Sequence, residues 1–206
     1  MLRNACAIIH AITVDNGTNH SSMLFSIQNF RLSEAQFLES SNQSPRSLGI
    51  NPDLVIIHNI SLPPGKYGGG HIAKLFNNTL NPRDHPYFEE IHLLKVSSHL
   101  LIERDGSVTQ FVPFNQKAWH AGESAYSGRD NCNDFSIGIE LEGTDFEPFT
   151  DIQYAALVDI TKLLLINYPS LNHERIVGHS DVAPGRKTDP GPFFDWTRYK
   201  SAVTEK

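Results

Sequence analysis

The chain has 206 residues, 39% of them hydrophobic and 19% charged, with 17 Lys and Arg against 23 Asp and Glu for a net charge of −6. These values describe a globular chain long enough to bury a core without disulfide or metal staples, and they exclude collagen-like, coiled-coil and low-complexity classes. The acidic balance argues against nucleic acid or an anionic membrane as a partner, because both require a stripe of Lys and Arg.

Residues 1–50 are expected to form an N-terminal leader and strap, partly disordered. They are rich in Ser and Asn, as at Asn16, Asn19, Ser21, Ser22, Ser40, Ser41, Asn42 and Ser44, and they run into Pro52. The opening stretch Met1 to His10 is a poor export signal, since His10 interrupts the apolar run and no small-residue cleavage site follows; Met23 is an alternative start. Cys6 and Cys132 make no disulfide framework and no C-x-x-C occurs, which fits a reduced, cytoplasmic setting. No apolar run reaches the ~18 residues of a spanning helix, so no membrane partner is expected.

From residue 51 to 200 a single domain is expected, with 201–206 as a C-terminal tail. Leu54-Val55-Ile56-Ile57 reads as a central strand buried on both faces and ending at His58. Residues 98–112 read as a hairpin turning at Asp105-Gly106. From Phe135 the alternation places Phe135, Ile137, Ile139 and Leu141 on one face, and Ser136, Gly138, Glu140 and Glu142 on the other. Thr150 with Gln153 makes a capping box for a helix through Ile152, Ala156, Ile160, Leu163, Leu164 and Asn167, stopped by Pro169. Arg175 to Gly178 is a further short strand, leading into a polar, proline-rich loop from His179 to Pro192. This order predicts the α/β (α+β) class, a mixed β-sheet flanked by helices.

The chain holds ten His, and His58 and His179 both follow apolar strands, where open α/β sheets keep their ligands. A third metal ligand would be Asp181 or Asp189, and spacing alone leaves that open. Two His and one carboxylate leave Zn²⁺ a water position, the mark of a catalytic site; a closed structural site usually adds thiolates, and no cysteines cluster here. Glu140 and Glu142 on one strand face would ordinarily be solvated, although Gly138 beside them permits a close approach. Lys187 taken alone is a surface lysine, and Trp119-His120-Ala121-Gly122 is either core packing or the wall of a groove. Gly68-Gly69-Gly70 lacks the phosphate-loop order, and no G-x-S-x-G elbow is present.

Four stretches carry a specific resemblance: His58-Asn59-Ile60-Ser61-Leu62-Pro63-Pro64-Gly65, Trp119-His120-Ala121-Gly122, Cys132 to Gly143, and Gly178 to Pro192. In this order they resemble the zinc N-acetylmuramoyl-L-alanine amidases of the type 2, peptidoglycan-recognition-like fold. Within these, the nearest resemblance is to the cytoplasmic branch that acts on 1,6-anhydro-muropeptides. The resemblance covers residues 54–199 and does not extend to the first fifty. It implies His58, His179 and Asp189 as zinc ligands, choosing Asp189 over Asp181, and Glu140 and Lys187 as the catalytic pair. The implied reaction is hydrolysis of the amide between the lactyl group of (1,6-anhydro-)N-acetylmuramic acid and L-alanine, serving cell-wall recycling.

Each role suits the residue type. A carboxylate such as Glu140 moves the proton of the attacking water, and a cation such as Lys187 stabilises the oxyanion. Asn59, Trp119 and Arg129 are expected substrate contacts, with Lys95 and Arg186 as further cations for the stem-peptide carboxylates. The protein is expected to be a monomer. A binding module on the same fold would have lost metal ligands, whereas all five positions hold competent residues here. Bacteriophage-type relatives typically carry Cys where this chain has Asp189.

Overall fold

The computed structural model describes residues 25–205. The expectations about the leader, the start at Met23 and Cys6 lie outside the described residues. In chain order the elements are β1 (Ile27–Gln28), β2 (Arg31–Leu32), β3 (Gln36–Phe37), β4 (Gln43–Pro45), β5 (Leu54–Ile60), α1 (His71–Phe76), α2 (Pro86–Ile91), β6 (Leu100–Ile102), β7 (Val108–Gln110), β8 (Gln116–Ala118), β9 (Ala125–Tyr126), β10 (Arg129–Asp130), β11 (Ser136–Glu142), α3 (Asp151–Asn167), β12 (Ile176–Gly178), α4 (His179–Val182) and α5 (Trp196–Thr204).

Six strands make the main sheet in the order β12-β5-β11-β6-β7-β3. The first four run parallel, and the β6–β7 hairpin reverses direction. This is the expected mixed sheet flanked by helices. The hairpin turns at Gly106, whose φ of 84° is the positive value a turn there requires. β5 and β11 occupy the centre because their residues are apolar on one face and buried on both. α3 begins at its Thr150–Gln153 capping box and packs Tyr154, Ala156, Leu157, Ile160 and Leu164 onto Val55, Ile57, Ile137, Ile139 and Leu141. Ile152, expected on that stripe, is 45% exposed; the buried position beside it is Gln153, whose amide donates to the carbonyls of Ile102 and Glu142.

Several expectations need correction. β5 does not stop at His58 but runs through it to Ile60, because His58 is held in register opposite Glu140. Phe135 breaks the alternation it was counted in. With ψ at 9° it closes a 3-10 turn over Cys132–Asp134, and its ring falls on the opposite face with Leu54 and Ile56. His179 does not open a loop; it is the first residue of α4.

Residues 25–50 do not stand apart from the domain. β3 forms the outer edge of the main sheet, and β4 pairs with β8. The polar residues that read as loop composition serve as anchors: Ser40 and Asn42 are buried and donate to the carbonyl of Phe76. At the other end α5 continues to Thr204 and buries Val203, so most of the expected tail is helix.

Candidate active site

The parallel register of the sheet assembles the site. β5 places His58 directly beside Glu140 of β11, while β12 pairs Gly178 with Ile57 and so brings His179 out next to His58. The loop after α4 then folds back. The Ser180 amide donates to the Asp189 carbonyl at 3.0 Å. Asp145 accepts from Thr188 Oγ1 at 2.5 Å and from Asn59 Nδ2 at 2.7 Å, and Asn59 Nδ2 also donates to the Pro190 carbonyl at 3.1 Å, so the loop is clamped on both sides of Asp189. Gly191 (φ 83°) allows that clamp to close, since a Cβ there would meet the Asp145 backbone at 2.7 Å.

Three donor atoms converge as a result. His58 Nδ1 lies 3.0 Å from His179 Nδ1 and 2.9 Å from Asp189 Oδ2, and His179 Nδ1 lies 3.0 Å from the same oxygen. His179 Nε2 is 3.0 Å from the Ala121 carbonyl, which only accepts, so that nitrogen carries a proton and Nδ1 is the nitrogen turned inward. Burial pushes the His58 pKa down to about 4 despite the opposing pull of Asp189. Burial alone would raise the pKa of Asp189, but the His179 and His58 rings beside it outweigh that and hold the carboxyl well below the usual range. The two Nδ1 atoms and the Asp189 carboxylate oxygen thus face one another across about 3 Å. Tetrahedral Zn²⁺ with bonds of about 2.0–2.1 Å wants its donors about 3.3 Å apart, so the set fits that ion with a slight opening. Among the described residues no fourth His, Cys or carboxylate joins the cluster. Asp181 is elsewhere, exposed and accepting from the Gly178 amide.

The two glutamates of β11 part company. Neither is solvated: Glu140 is 8% exposed and Glu142 2%. Glu142 is saturated by the amides of Gly68 at 2.6 Å and Arg104 at 3.2 Å. Glu140 Oε2 is buried with no partner. Burial first, and the charge of Asp189 second, raise its pKa well above the carboxylate norm, with Lys187 opposing. A carboxyl group with a raised pKa and an unsatisfied oxygen beside a metal-competent cluster is equipped to exchange protons. Lys187 is exposed, and its charge reaches both Glu140 and His58.

The expected substrate contacts are dispersed. Asn59 adjoins His58, but its amide is engaged with Asp145 and the Pro190 carbonyl. Trp119 is half-buried and donates from Nε1 to Ser44, holding β4 in place. Arg129 is not brought to the cluster. It pairs with Asp53 at 2.7 Å before the amino end of β5, and lies over the Phe135 ring at 3.6 Å. Arg186 donates to the carbonyls of Ala121 and Glu123, and Lys95 to Asn78. Two contributors escaped the sequence reading, Asp145 and His120. The signal for His120 was Gly138: the group that approaches this glycine is the His120 ring, 2.5 Å from where a Cβ would sit.

The family model described as N-acetylmuramoyl-L-alanine amidase matches residues 48–192. A curated relative from Enterobacter cloacae, the 1,6-anhydro-N-acetylmuramyl-L-alanine amidase AmpD, is 52% identical over 178 residues, 86% of this chain and 95% of that protein. The crystal structure of a selenomethionine AmpD derivative aligns with a TM-score of 0.85 at 50% identity, covering 88% of this chain and 100% of that one. The amidase AmiD of E. coli, solved with the substrate anhydro-N-acetylmuramic acid-L-Ala-D-gamma-Glu-L-Lys, aligns with a TM-score of 0.55 at 26% identity, over 86% of this chain and 65% of that one. On the extent of the family match and the identity to a relative covered almost end to end, the chain belongs to the N-acetylmuramoyl-L-alanine amidase family.

Proposed function

We propose that the protein is a zinc-dependent amidase that hydrolyses the bond between the lactyl group of 1,6-anhydro-N-acetylmuramic acid and L-alanine in peptidoglycan fragments, as a step of cell-wall recycling. The observation that carries the proposal is the convergence of His58 Nδ1, His179 Nδ1 and Asp189 Oδ2 beside a carboxyl oxygen with no partner. The printed activity of the AmpD relatives and the ligand held by AmiD support the choice of substrate.

These three residues would hold the ion, which when bound supplies a Lewis acid and an acidified water at neutral pH. Glu140 takes a proton from the attacking water on its free oxygen and returns it to the departing amine of L-alanine. Its burial keeps the proton affinity high enough for that return. Lys187 sets a positive charge beside the tetrahedral oxyanion, where it stabilises the transition state more than the neutral substrate. Asn59, the chain neighbour of His58, and Trp119, the chain neighbour of His120, remain proposed substrate contacts; Arg129 is left out because Asp53 and Phe135 already engage it. Catalysis is assigned to residues 51–200 of a cytoplasmic monomer. No helix among the described residues is long and apolar enough to cross a membrane.

The test is mass spectrometry of muropeptides incubated with chelator-stripped protein, before and after Zn²⁺ is restored, using anhydro and ordinary reducing-end sugars. Release of a peptide beginning with L-alanine only after zinc addition is expected, with the anhydro sugar preferred. Binding without cleavage by zinc-loaded protein would turn the reading toward a peptidoglycan-recognition module.

A further inference from the structure

His58 presents Nδ1 to the cluster and turns Nε2 the other way, to 2.9 Å from His120 Nδ1. The two rings meet edge to face, with centroids 5.0 Å apart and planes at 88°. The direction of that hydrogen bond follows from what lies behind His120. Its Nε2 is 3.2 Å from Ser136 Oγ, and Ser136 donates its single proton to the Cys132 carbonyl at 2.6 Å. A hydroxyl whose proton is committed to a carbonyl can only accept from the ring. His120 therefore carries its proton on Nε2 and offers a lone pair on Nδ1, and the His58 Nε2–H donates to it. The consequence for His58 is a bare Nδ1 directed at Asp189 and His179.

The surrounding chain is built to keep this arrangement. Gly138 leaves space for the ring, since a Cβ there would lie 2.5 Å from His120 Cγ and Nδ1. Asn133 Oδ1 accepts from the amides of both His120 and Ala121, at 3.1 and 2.8 Å. The Ala121 carbonyl in turn receives the proton of His179 Nε2. Two consecutive residues thus set the tautomers of both cluster histidines, one through its side chain and the other through its main chain.

We propose that His120 is a positioning residue of the zinc site, relaying from Ser136 to His58 the orientation and tautomer that direct His58 Nδ1 at the metal. The proposal rests on the reading of His58, His179 and Asp189 as zinc ligands. Partners that fix the second ring nitrogen of a ligating histidine are worth about 10- to 100-fold in metal affinity.

Zinc affinity of the full chain, measured by competition with a chromophoric chelator, tests it. H120F keeps an aromatic ring but has no acceptor, and is expected to bind zinc about 10- to 100-fold more weakly than the unmodified protein. H120N returns an oxygen near the position of Nδ1 and is expected to recover most of that loss, which a purely space-filling role would not do. G138A leaves every polar group in place but displaces the ring, and is expected to fall with H120F. H120F binding zinc within about twofold of the unmodified protein would overturn the proposal. Absence of zinc binding by the unmodified protein would instead overturn the metal-site reading beneath it. Should H120F fail to fold, nitrogen spectra of ¹⁵N-histidine-labelled, zinc-loaded protein decide the matter: His120 protonated on Nε2 with a bare Nδ1 supports the relay, and a proton on Nδ1 sinks it.

Discussion

The two faces of the β5–β11 pair are cut from the same strands and are buried to the same degree, yet they are completed in different ways. On one face Val55, Ile57, Ile137, Ile139 and Leu141 meet α3 and α5 in an apolar cluster. On the other, the series runs Leu54, Ile56, His58 on β5 and Ser136, Gly138, Glu140, Glu142 on β11, covered by loops and by the His120 ring. The apolar face gains stability from the area it removes from water. On the polar face every polar side chain named here has a hydrogen-bond partner except that of Glu140, whose Oε2 is fully buried without one. Burial therefore does not separate scaffold from site in this fold; hydrogen-bond saturation does.

Asp189→Ala should break the polar face most completely. It removes the oxygen that both histidines approach, so zinc retained after dialysis should drop far below one per chain and turnover should fall to background. Metal analysis together with the muropeptide assay checks this, and full zinc with full turnover would remove Asp189 from the site.

The two glutamates sharpen the contrast within a single strand. Glu140→Gln should retain zinc and lose about 10²- to 10⁴-fold in turnover, because the group that moves the proton is gone. Glu142→Gln should leave turnover within severalfold and instead cost about 1–3 kcal/mol of stability, since its oxygens serve the amides of Gly68 and Arg104. Equal loss of turnover in both variants would erase the distinction between a saturated and a free carboxylate.

How much of this was legible in the sequence depends on how local the cause is. The continuous apolar run of β5, the Gly106 turn and the Thr150–Gln153 capping box act within a few residues, and all three could be read directly. Phe135 was put on the wrong face because one ψ angle, not a pattern, rotates it. Residues 25–50 looked like a loose strap because burial of Ser40 and Asn42 depends on carbonyls far along the chain, such as that of Phe76. The preference for Asp189 over Asp181 came from resemblance; only the folded chain shows one carboxylate capping α4 and the other facing the histidines. Arg129 drew attention as a cation near matching segments, but Asp53, at a sequence separation of 76, decides its place.

On the apolar face the expected response is the reverse. Leu157 of α3 is fully buried against the sheet, and Leu157→Ala should cost about 2–5 kcal/mol, through lost transfer energy and the cavity left behind. Zinc affinity of the folded fraction should be unchanged. Denaturant unfolding with a parallel zinc titration measures both quantities, and a loss of zinc affinity comparable to that of H120F would show that the two faces are coupled.

The smallest effect concerns a histidine of the polar face that touches none of the three cluster residues. His99 is fully buried, and its Nδ1 accepts from the Gly138 amide at 3.0 Å, so its proton sits on Nε2, 3.1 Å from the Gln116 carbonyl. Burial first, and the nearby Arg46 charge second, push its pKa down to about 3. In the unfolded chain the value returns to about 6.5. Above pH 6.5 both states are neutral and the full stability is present. Between pH 6.5 and about 3 the unfolded chain binds a proton that the folded chain refuses, so stability falls as the pH falls. At pH 5 this amounts to about 2 kcal/mol, from about 1.4 kcal/mol for each pH unit below the unfolded value. His99→Asn keeps an acceptor for the Gly138 amide but cannot be protonated. Unfolding of metal-free protein at pH 7 and pH 5 should therefore show the unmodified chain losing about 2 kcal/mol more than the variant. The other histidines are present in both proteins, so the difference reports on His99; an equal loss in the two would mean that His99 takes up its proton without unfolding.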